Sequence, residues 1–223
     1  MTGFPADTLV RRALELLAES AGVSPRWRVA IDKRIPVAAG LGGGSSDAAT
    51  ALRLANRTLA RPLSAEALHA VAAAVGSDVP FFLADGPQLG SGDGTVLEPA
   101  PIPQDFWVVL VLPRGERKAS TGAVYERFDA RSGADGYDRR REALREVLVA
   151  VDRPRDLASL PANDLAASPL AEQLRAAGAF RADVTGAGPA VYGLFSRRPD
   201  AELARRSLAR FGRTWITVPA WYG

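Results

Sequence analysis

The chain has 223 residues, a mass of 23.6 kDa and 47% hydrophobic residues, enough for one large or two small domains with a buried core. It contains no cysteine, which excludes disulfides, thiolate nucleophiles, iron–sulfur clusters and cysteine-ligated zinc, and the single histidine excludes histidine-rich metal sites. The net charge of +3 comes from arginines scattered among acids, a pattern that argues against a nucleic-acid-binding face. With no long apolar run and no signal-like start, we expect a cytoplasmic protein without a membrane partner.

The first two predicted elements are a helix and a half-buried strand. Apolar residues recur with a helical period over residues 7–20, where Asp7 is the predicted N-cap and Gly22 the stop. Residues 27–32 alternate apolar and polar side chains, which is typical of a strand with one buried face.

A glycine-rich loop follows that strand. Residues 40–46 have the sequence G-L-G-G-G-S-S, and helical periodicity resumes over residues 47–59. Between a strand and a helix, such glycines let backbone N–H groups converge on an anion, and the helix N-terminus adds positive potential. The pattern is neither a Walker A loop nor a dinucleotide fingerprint. It predicts a phosphate cradle in which Ser45 and Ser46 offer hydroxyls to phosphate or Mg²⁺; the alternative is a flexible turn with serine caps.

Asp78 is the candidate acid. A helix is predicted to begin after the N-cap Ser64 and to end at Gly76, and Asp78 then precedes the apolar residues 79–82. A carboxylate in that position is expected to be either buried with a partner or functional. Near a triphosphate it can accept a proton from an attacking hydroxyl or help to hold a metal ion. The alternative is a cap or turn aspartate.

A proline-rich link divides the chain. Residues 87–97 are predicted to form a hairpin around Gly92. The proline-rich residues 98–103 are predicted to link two domains, residues 1–100 and 101–223. In the second domain strands and helices intermix. The predicted strands span residues 106–112, 180–185, 190–195 and 214–218. The predicted helices span residues 121–128, 139–151, 170–177 and 200–211. Residues 131–141 are predicted to form a mobile surface loop.

For the other candidate residues, a structural role explains the sequence as well as a functional role does. Residues 186–189, G-A-G-P, form a second glycine turn that can approach phosphate or substrate, with Thr185 as a hydroxyl donor, but a plain hairpin turn uses the same residues. Thr121 is typical of a helix cap, and Tyr125 of a core or rim residue. Lys33 precedes the glycine-rich loop, where a solvated strand-end charge is the alternative.

The glycine-rich loop resembles that of a known superfamily. Residues 36–49, P-V-A-A-G-L-G-G-G-S-S-D-A-A, are similar to the P-x-x-x-G-L-G-G-G-S-S-x-A-A loop of the GHMP kinases. The resemblance to one branch of these kinases covers about Pro5 to Phe195. Its further motifs, in order, are residues 32–36, residues 76–82, Pro113 with Ser120, Thr121 and Tyr125, residues 163–165, and residues 185–189.

This resemblance implies a fold and an activity. The fold is the two-lobed α+β GHMP kinase fold, with an N-terminal lobe like ribosomal protein S5 domain 2, a ferredoxin-like C-terminal lobe and the active site between them. The implied reaction is ATP-dependent phosphorylation of the 2-hydroxyl of 4-diphosphocytidyl-2-C-methyl-D-erythritol, in the non-mevalonate isoprenoid pathway. Mg²⁺ is expected with ATP, because phosphoryl transfer needs a cation that bridges the β- and γ-oxygens.

The resemblance also assigns roles to residues of this chain. Asp78 is implied as the base or hydroxyl-orienting acid that contacts substrate. Ser46, whose hydroxyl was noted above, is the candidate ligand of the Mg²⁺ that accompanies ATP. The implied ATP-binding residues are Lys33, Pro36, Ala38, Ala39, Gly40, Leu41, Gly42, Gly43, Gly44, Ser45 and Ser46. The implied substrate-binding residues are Thr121, Tyr125 (stacking on the cytosine), Gly186 and Gly188.

One section of the family pattern has no counterpart in this sequence. The family opens with a strand and hairpin that carry an A-K-x-N-L-type motif, whereas residues 5–10 already resemble the later P-x-D-N-L-V region, with Thr8 in place of asparagine. In the turn of residues 90–94, Asp93 stands where glutamate is usual. Either the start codon was assigned too late and the natural protein is longer and active, or this is a shortened paralogue that binds nucleotide poorly. A further alternative is another GHMP activity, such as phosphorylation of mevalonate, homoserine or galactose, against which residues 76–80 together with Ser120 and Thr121 argue. The last alternative is a non-catalytic nucleotide-binding module.

Overall fold

The computed structural model describes residues 8–115 and 121–220. Helices and antiparallel strands are mixed along this part of the chain, which confirms the predicted α+β class. The helices are α1 Leu9–Ser20, α2 Gly43–Asn56, α3 Ala65–Val75, α4 Thr121–Ala130, α5 Tyr137–Ala150, α6 Pro169–Ala176 and α7 Arg198–Leu208. The strands are β1 Gln88–Ser91, β2 Val96–Pro99, β3 Trp107–Pro113, β4 Arg181–Val184, β5 Val191–Phe195 and β6 Gly212–Thr217. Two short 3-10 helices span Pro80–Leu83 and Pro154–Ser159.

The described chain divides into two compact units. The first contains the residues up to Val37 together with Gly42–Pro101, and the second contains Ala38–Leu41 together with the residues from Ile102 onward. The glycine-rich segment is therefore split, because its first part packs within the second unit and its second part begins α2 in the first. No helix in either described part is long and apolar enough to cross a membrane.

The first unit is built around three helices. α1 packs against α2 and α3, and its apolar residues from Val10 to Leu17 are buried against Leu52 and Val71. The small side chains of Ala48 and Ala49 on α2 let the two helices approach closely. The N-cap of α1 is Thr8, whose hydroxyl accepts a hydrogen bond from Arg11 N at 3.2 Å. The predicted cap, Asp7, lies outside the described residues.

The predicted strand over residues 27–32 is wrong, although its alternation of buried and exposed side chains is correct. Trp27, Val29 and Ile31 pack against the core of the first unit, while the residues between them are exposed. No strand is assigned in this segment, and among the described residues no neighbouring strand pairs with it. Side-chain alternation reports one buried face, whereas a strand also needs a hydrogen-bonding partner.

The predicted hairpin of the first unit is confirmed by the antiparallel pair β1–β2, with Gln88 opposite Pro99. In its turn, Asp93 accepts hydrogen bonds from the Thr95 hydroxyl at 2.7 Å and the Thr95 N–H at 3.0 Å, and these bonds lower the pKa of the Asp93 carboxyl. His69 on α3 donates from Nε2 to the Thr95 carbonyl oxygen at 3.0 Å. The only histidine of the sequence is therefore a structural contact that docks the hairpin on α3.

The second unit contains a four-stranded antiparallel sheet with the order β4-β5-β3-β6. β3 pairs with β5 on one side and β6 on the other, which explains why its residues form a continuous apolar run. α6 contacts β4 and β5, and α7 contacts β3 and β6. These contacts bury Val109, Val111, Leu174 and Phe195 in the main core of the unit. A smaller cluster is centred on Phe106, Leu157 and Leu194.

Two predicted boundaries differ from those in the structure. The predicted loop of residues 131–141 is too long, because α5 begins at Tyr137. Helix α2 begins at Gly43 rather than at Asp47, despite the low helix propensity of glycine. At position 43 a Cβ atom would lie 2.9 Å from Ile35 Cγ2, so the first turn of α2 packs too closely on the preceding segment to admit a side chain.

Candidate active site

The glycine-rich N-terminus of α2 presents free backbone donors. Gly42 is the N-cap at φ 64°, it makes no side-chain cap, and the first turn holds no acidic residue. By contrast, α1, α3 and α6 are capped by the hydroxyls of Thr8, Ser64 and Ser168. Among the described residues the N–H groups of residues 43–45 have no acceptor. This end of the 14-residue helix therefore offers donors and the positive end of the dipole to an anion.

Lys33 lies beside these donors. Its Nζ atom is 3.1 Å from where a Cβ would stand at position 43, and it forms an ion pair with Asp47 in the second turn of α2. The Lys33 side chain is 17% exposed and the Asp47 side chain 32% exposed. The structure thus brings Lys33 together with Gly43. The alternative of a solvated strand-end charge is wrong, because the ammonium is largely buried and paired.

The first part of the glycine-rich segment packs against the second glycine turn, within the second unit. Ala190 N donates to the Ala39 carbonyl oxygen at 3.1 Å. A Cβ at position 40 would lie 2.6 Å from the Gly188 carbonyl oxygen and 2.9 Å from that of Thr185. Gly40 also has a φ of 76°, so both its space and its backbone conformation require glycine. Two predicted site segments that are far apart in sequence are therefore in direct contact.

Residues 36–41 lead into this contact. Pro36 and Leu41 are half-buried and Ala39 is buried. Ala38 adopts a φ of 57°, a conformation that few residues other than glycine adopt. Such local strain is maintained only where the surrounding structure holds the backbone, here through the hydrogen bond to Ala39.

Asn163 holds the second glycine turn, and sequence reasoning missed this function. Its Nδ2 donates to the carbonyl oxygens of Val184 at 3.0 Å and Gly186 at 2.7 Å, while its Oδ1 accepts from Leu165 N at 2.7 Å. Its own N–H donates to Asp183 Oδ2 at 2.8 Å. The motif of residues 163–165 was a signal, but nothing in one sequence shows which backbone groups an amide reaches.

Replacing Asn163 by aspartate tests this arrangement. The variant keeps the volume but turns a carboxylate toward two carbonyl oxygens, so we expect the free energy of unfolding in urea to fall by about 2–4 kcal/mol. Asp164→Asn is the matched control, because the Asp164 carboxylate pairs with Arg140 at an exposed site and the hydrogen bond from Arg131 goes to the Asp164 main-chain carbonyl oxygen. A loss of about 0–1 kcal/mol is expected there. Equal stability of the two variants would contradict the assigned role.

Asp78 lies in the turn between α3 and the 3-10 helix Pro80–Leu83. The neighbouring Val79 and Pro80 are buried and anchor the turn, but Asp78 itself is exposed. The interpretation as a buried carboxylate with a partner is wrong, because Asp78 is exposed and no hydrogen bond joins its side chain to another described residue. Its position in a turn agrees both with a turn aspartate and with a functional acid. Its carboxylate is therefore free to contact a ligand.

Two further residues connect the segment after Asp78 to α2 within the first unit. Arg53 on α2 donates to the carbonyl oxygens of Phe82 at 3.1 Å and Leu83 at 3.2 Å. A Cβ at position 42 would lie 2.7 Å from Phe82 Cζ, so the Phe82 ring covers the N-cap of α2. Arg53 and Phe82 thereby fix the 3-10 helix against the start of α2. The sequence contained no signal for either contact.

The remaining predicted site residues lie apart from these contacts. Tyr125 on α4 is 50% exposed, and its ring belongs to none of the core clusters of the described residues. Thr121 begins α4, but its side chain and Ser120 lie outside what the structure describes. Ser46 is half-buried, and its hydroxyl makes no hydrogen bond to another described residue. No group of three metal-ligating side chains occurs in the described ranges.

Two family models match the chain. The GHMP kinases N terminal domain matches residues 8–86, and the GHMP kinases C terminal domain matches residues 165–214. Together with the α+β fold and the glycine-rich start of α2, these matches define the class of the protein as a GHMP kinase, a small-molecule kinase.

Similar proteins narrow this class. A 4-diphosphocytidyl-2-C-methyl-D-erythritol kinase of Paramagnetospirillum magneticum is 36% identical over 225 residues, which cover 96% of this chain and 76% of that protein. The kinase of the same name from Chlorobium phaeobacteroides is 37% identical over 229 residues, which cover 96% of this chain and 78% of that protein. A crystal structure of 4-(cytidine 5'-diphospho)-2C-methyl-D-erythritol kinase superposes with a TM-score of 0.74 at 29% sequence identity. The superposition covers 98% of this chain and 80% of that chain. The chain belongs to the 4-diphosphocytidyl-2-C-methyl-D-erythritol kinase family, which confirms the resemblance and the fold it implied.

Proposed function

We propose that this chain transfers the γ-phosphoryl group of ATP to the 2-hydroxyl of 4-diphosphocytidyl-2-C-methyl-D-erythritol, a step of isoprenoid precursor synthesis. The observation that carries the proposal is the uncapped N-terminus of α2, where free N–H groups and the Lys33 ammonium meet at one point in a member of this kinase family. Family membership supports the choice of alcohol. We expect the reaction to take place in the cytoplasm.

The nucleotide site is proposed to include residues 36–46 with Lys33. Free N–H groups at residues 43–45 suit the oxygens of a polyphosphate, and the dipole of α2 favours its charge. We assign residues 1–100 to the ATP-binding lobe and residues 101–223 to the C-terminal lobe. When bound, Mg²⁺ neutralises charge on the β- and γ-phosphates. The Ser46 hydroxyl, which has no hydrogen-bond partner among the described residues, fits it as a ligand, because Mg²⁺ takes few protein oxygens and keeps several waters.

Asp78 is proposed as the group that orients the acceptor hydroxyl and takes its proton. The hydroxyl oxygen forms a bond to the γ-phosphorus as the bond to the β-phosphate oxygen breaks, ADP leaves, and the hydroxyl proton passes to the carboxylate. An exposed carboxylate on a turn fixed by buried Val79 and Pro80 suits this task, because its position is held while its oxygens stay accessible.

The residues proposed to contact the alcohol substrate are Asp78, Thr121, Tyr125, Gly186 and Gly188. The half-exposed ring of Tyr125 offers an aromatic face on which a cytosine can stack. Gly186 and Gly188 have φ values of 50° and 73°, and backbone without side chains permits close approach of a ligand.

Release of ADP tests the proposed function. We expect the purified chain with ATP and Mg²⁺ to release ADP at a rate that rises at least tenfold on adding 4-diphosphocytidyl-2-C-methyl-D-erythritol. Mevalonate and homoserine serve as control alcohols and should leave the rate at its basal value. Tight binding of an ATP analogue without transfer to any of the three alcohols would instead identify a non-catalytic nucleotide-binding module.

A further inference from the structure

We propose that Asp47 is a positioning residue for ATP, because it holds the Lys33 ammonium beside the first turn of α2 before the nucleotide arrives. This inference rests on the proposed function. The family resemblance assigned no role to Asp47, which occupies the variable position of the S-S-x-A-A motif.

The geometry places three features at one point of the first unit. Lys33 Nζ stands next to Gly43, the first residue of α2, and its ion pair with Asp47 Oδ2 reaches across the first turn of that helix. Ile35 packs on Gly43 from the same segment as Lys33, so the backbone that carries the lysine is fixed against the helix. Only the end of the lysine side chain then needs a partner to fix its position.

An ammonium does not stay at a helix N-terminus without help. The helix dipole places positive potential there, and the free N–H groups of residues 43–45 add to it. The first turn of α2 carries no acid, so Asp47 is the carboxylate that offsets this repulsion. The nearby acid Asp32 pairs with Arg34 at 3.0 Å, and both of those side chains are largely exposed.

The ion pair leaves the lysine able to act on a second anion. An ammonium has three donors, and the bond to Asp47 uses one of them. A polyphosphate at the start of α2 therefore meets a lysine whose side-chain freedom has already been lost, which lowers the entropy cost of binding. Without Asp47 the nucleotide would have to order the lysine against the helix dipole.

Asp47 itself repels phosphate, so the effect of removing its charge depends on Lys33. In the presence of Lys33, loss of positioning outweighs loss of repulsion, and Asp47→Asn weakens nucleotide binding. In its absence only the repulsion is left, and the same change has no effect or strengthens binding. A purely structural ion pair predicts no such reversal of sign.

Calorimetric titration with ADP and Mg²⁺ tests this double-mutant cycle. The proteins are the unaltered chain, Asp47→Asn, Lys33→Met and the double variant, with Asp32→Asn as the matched control. We expect Asp47→Asn to weaken ADP binding about 5–10-fold and Lys33→Met about 10–30-fold. The double variant should bind as tightly as Lys33→Met or more tightly, and Asp32→Asn within twofold of the unaltered chain.

Steady-state kinetics provide the second measurement. Asp47→Asn should raise the KM for ATP while the KM for the alcohol and kcat stay within about threefold, because the residue acts on nucleotide binding only. Unchanged ADP affinity in Asp47→Asn, or losses in the double variant that multiply, would overturn the role of Asp47. Failure of the unaltered chain to bind ADP would instead overturn the proposed function.

Discussion

Replacing Asp78 by asparagine is expected to lower kcat for phosphoryl transfer about 10²–10⁴-fold while the affinity for ADP stays within about twofold. Asparagine keeps the size of the side chain but cannot take the proton of the acceptor hydroxyl. Because Asp78 is exposed and has no hydrogen-bond partner among the described residues, the change removes no contact that supports the fold. ADP release with saturating alcohol measures kcat, and calorimetry measures the affinity.

Asp85→Asn is the matched control for this experiment. Asp85 is an exposed acid shortly after the same 3-10 helix, and it is its main-chain carbonyl, not its carboxylate, that accepts a hydrogen bond from Gln88. Its kcat should equal that of the unaltered chain. If Asp78→Asn retained more than a tenth of the activity, the carboxylate would not be the proton acceptor, and Asp78 would be a turn residue.

Replacing Gly40 by alanine is expected to destabilise the protein by about 2–5 kcal/mol. The left-handed backbone conformation costs alanine about 1–2 kcal/mol, and overpacking adds about 1–3 kcal/mol. The second contribution arises because the new Cβ would meet the carbonyl oxygens of Gly188 and Thr185 at 2.6 and 2.9 Å. The free energy of unfolding in urea measures the loss, and nucleotide affinity should fall with it.

Gly86→Ala separates the two contributions. Gly86 has a φ of 74°, close to the 76° of Gly40, but a Cβ there would meet no atom within 4 Å. In this control the free energy of unfolding should fall only by the conformational cost of about 1–2 kcal/mol. Equal losses at positions 40 and 86 would show that the two glycine turns are not in contact in solution.

Much of the fold is predictable from the sequence, because many of its signals act over a few residues. The period of apolar side chains predicts helices α1, α3, α6 and α7, and the cap Ser64 with Gly76 places both ends of α3 correctly. The continuous apolar run before Pro113 predicts the central strand β3. These features depend on local hydrogen bonds and on which face is buried.

The candidate site is predictable only in part. The glycine run, Lys33 and Asp78 are found from residue type and order, since few residue types suit phosphate or proton transfer. The contacts that fix the surrounding segments are not predictable in the same way. Asn163 and Arg53 donate to main-chain carbonyl oxygens between 21 and 30 residues away, and the Phe82 ring lies against Gly42. A single sequence does not show which distant backbone groups these side chains reach.

The sequence by itself predicted most of the elements and the position of a candidate phosphate-binding segment, since periodicity and glycine content are properties of neighbouring residues. Its resemblance to the GHMP kinases implied the α+β class. Only the tertiary structure decided three points. Residues 27–32 pair with no strand among the described residues, α2 begins within the glycines, and Gly40 packs on the second glycine turn. Each depends on which distant backbone supplies a hydrogen bond or fills a space, and that is settled only when the chain has folded.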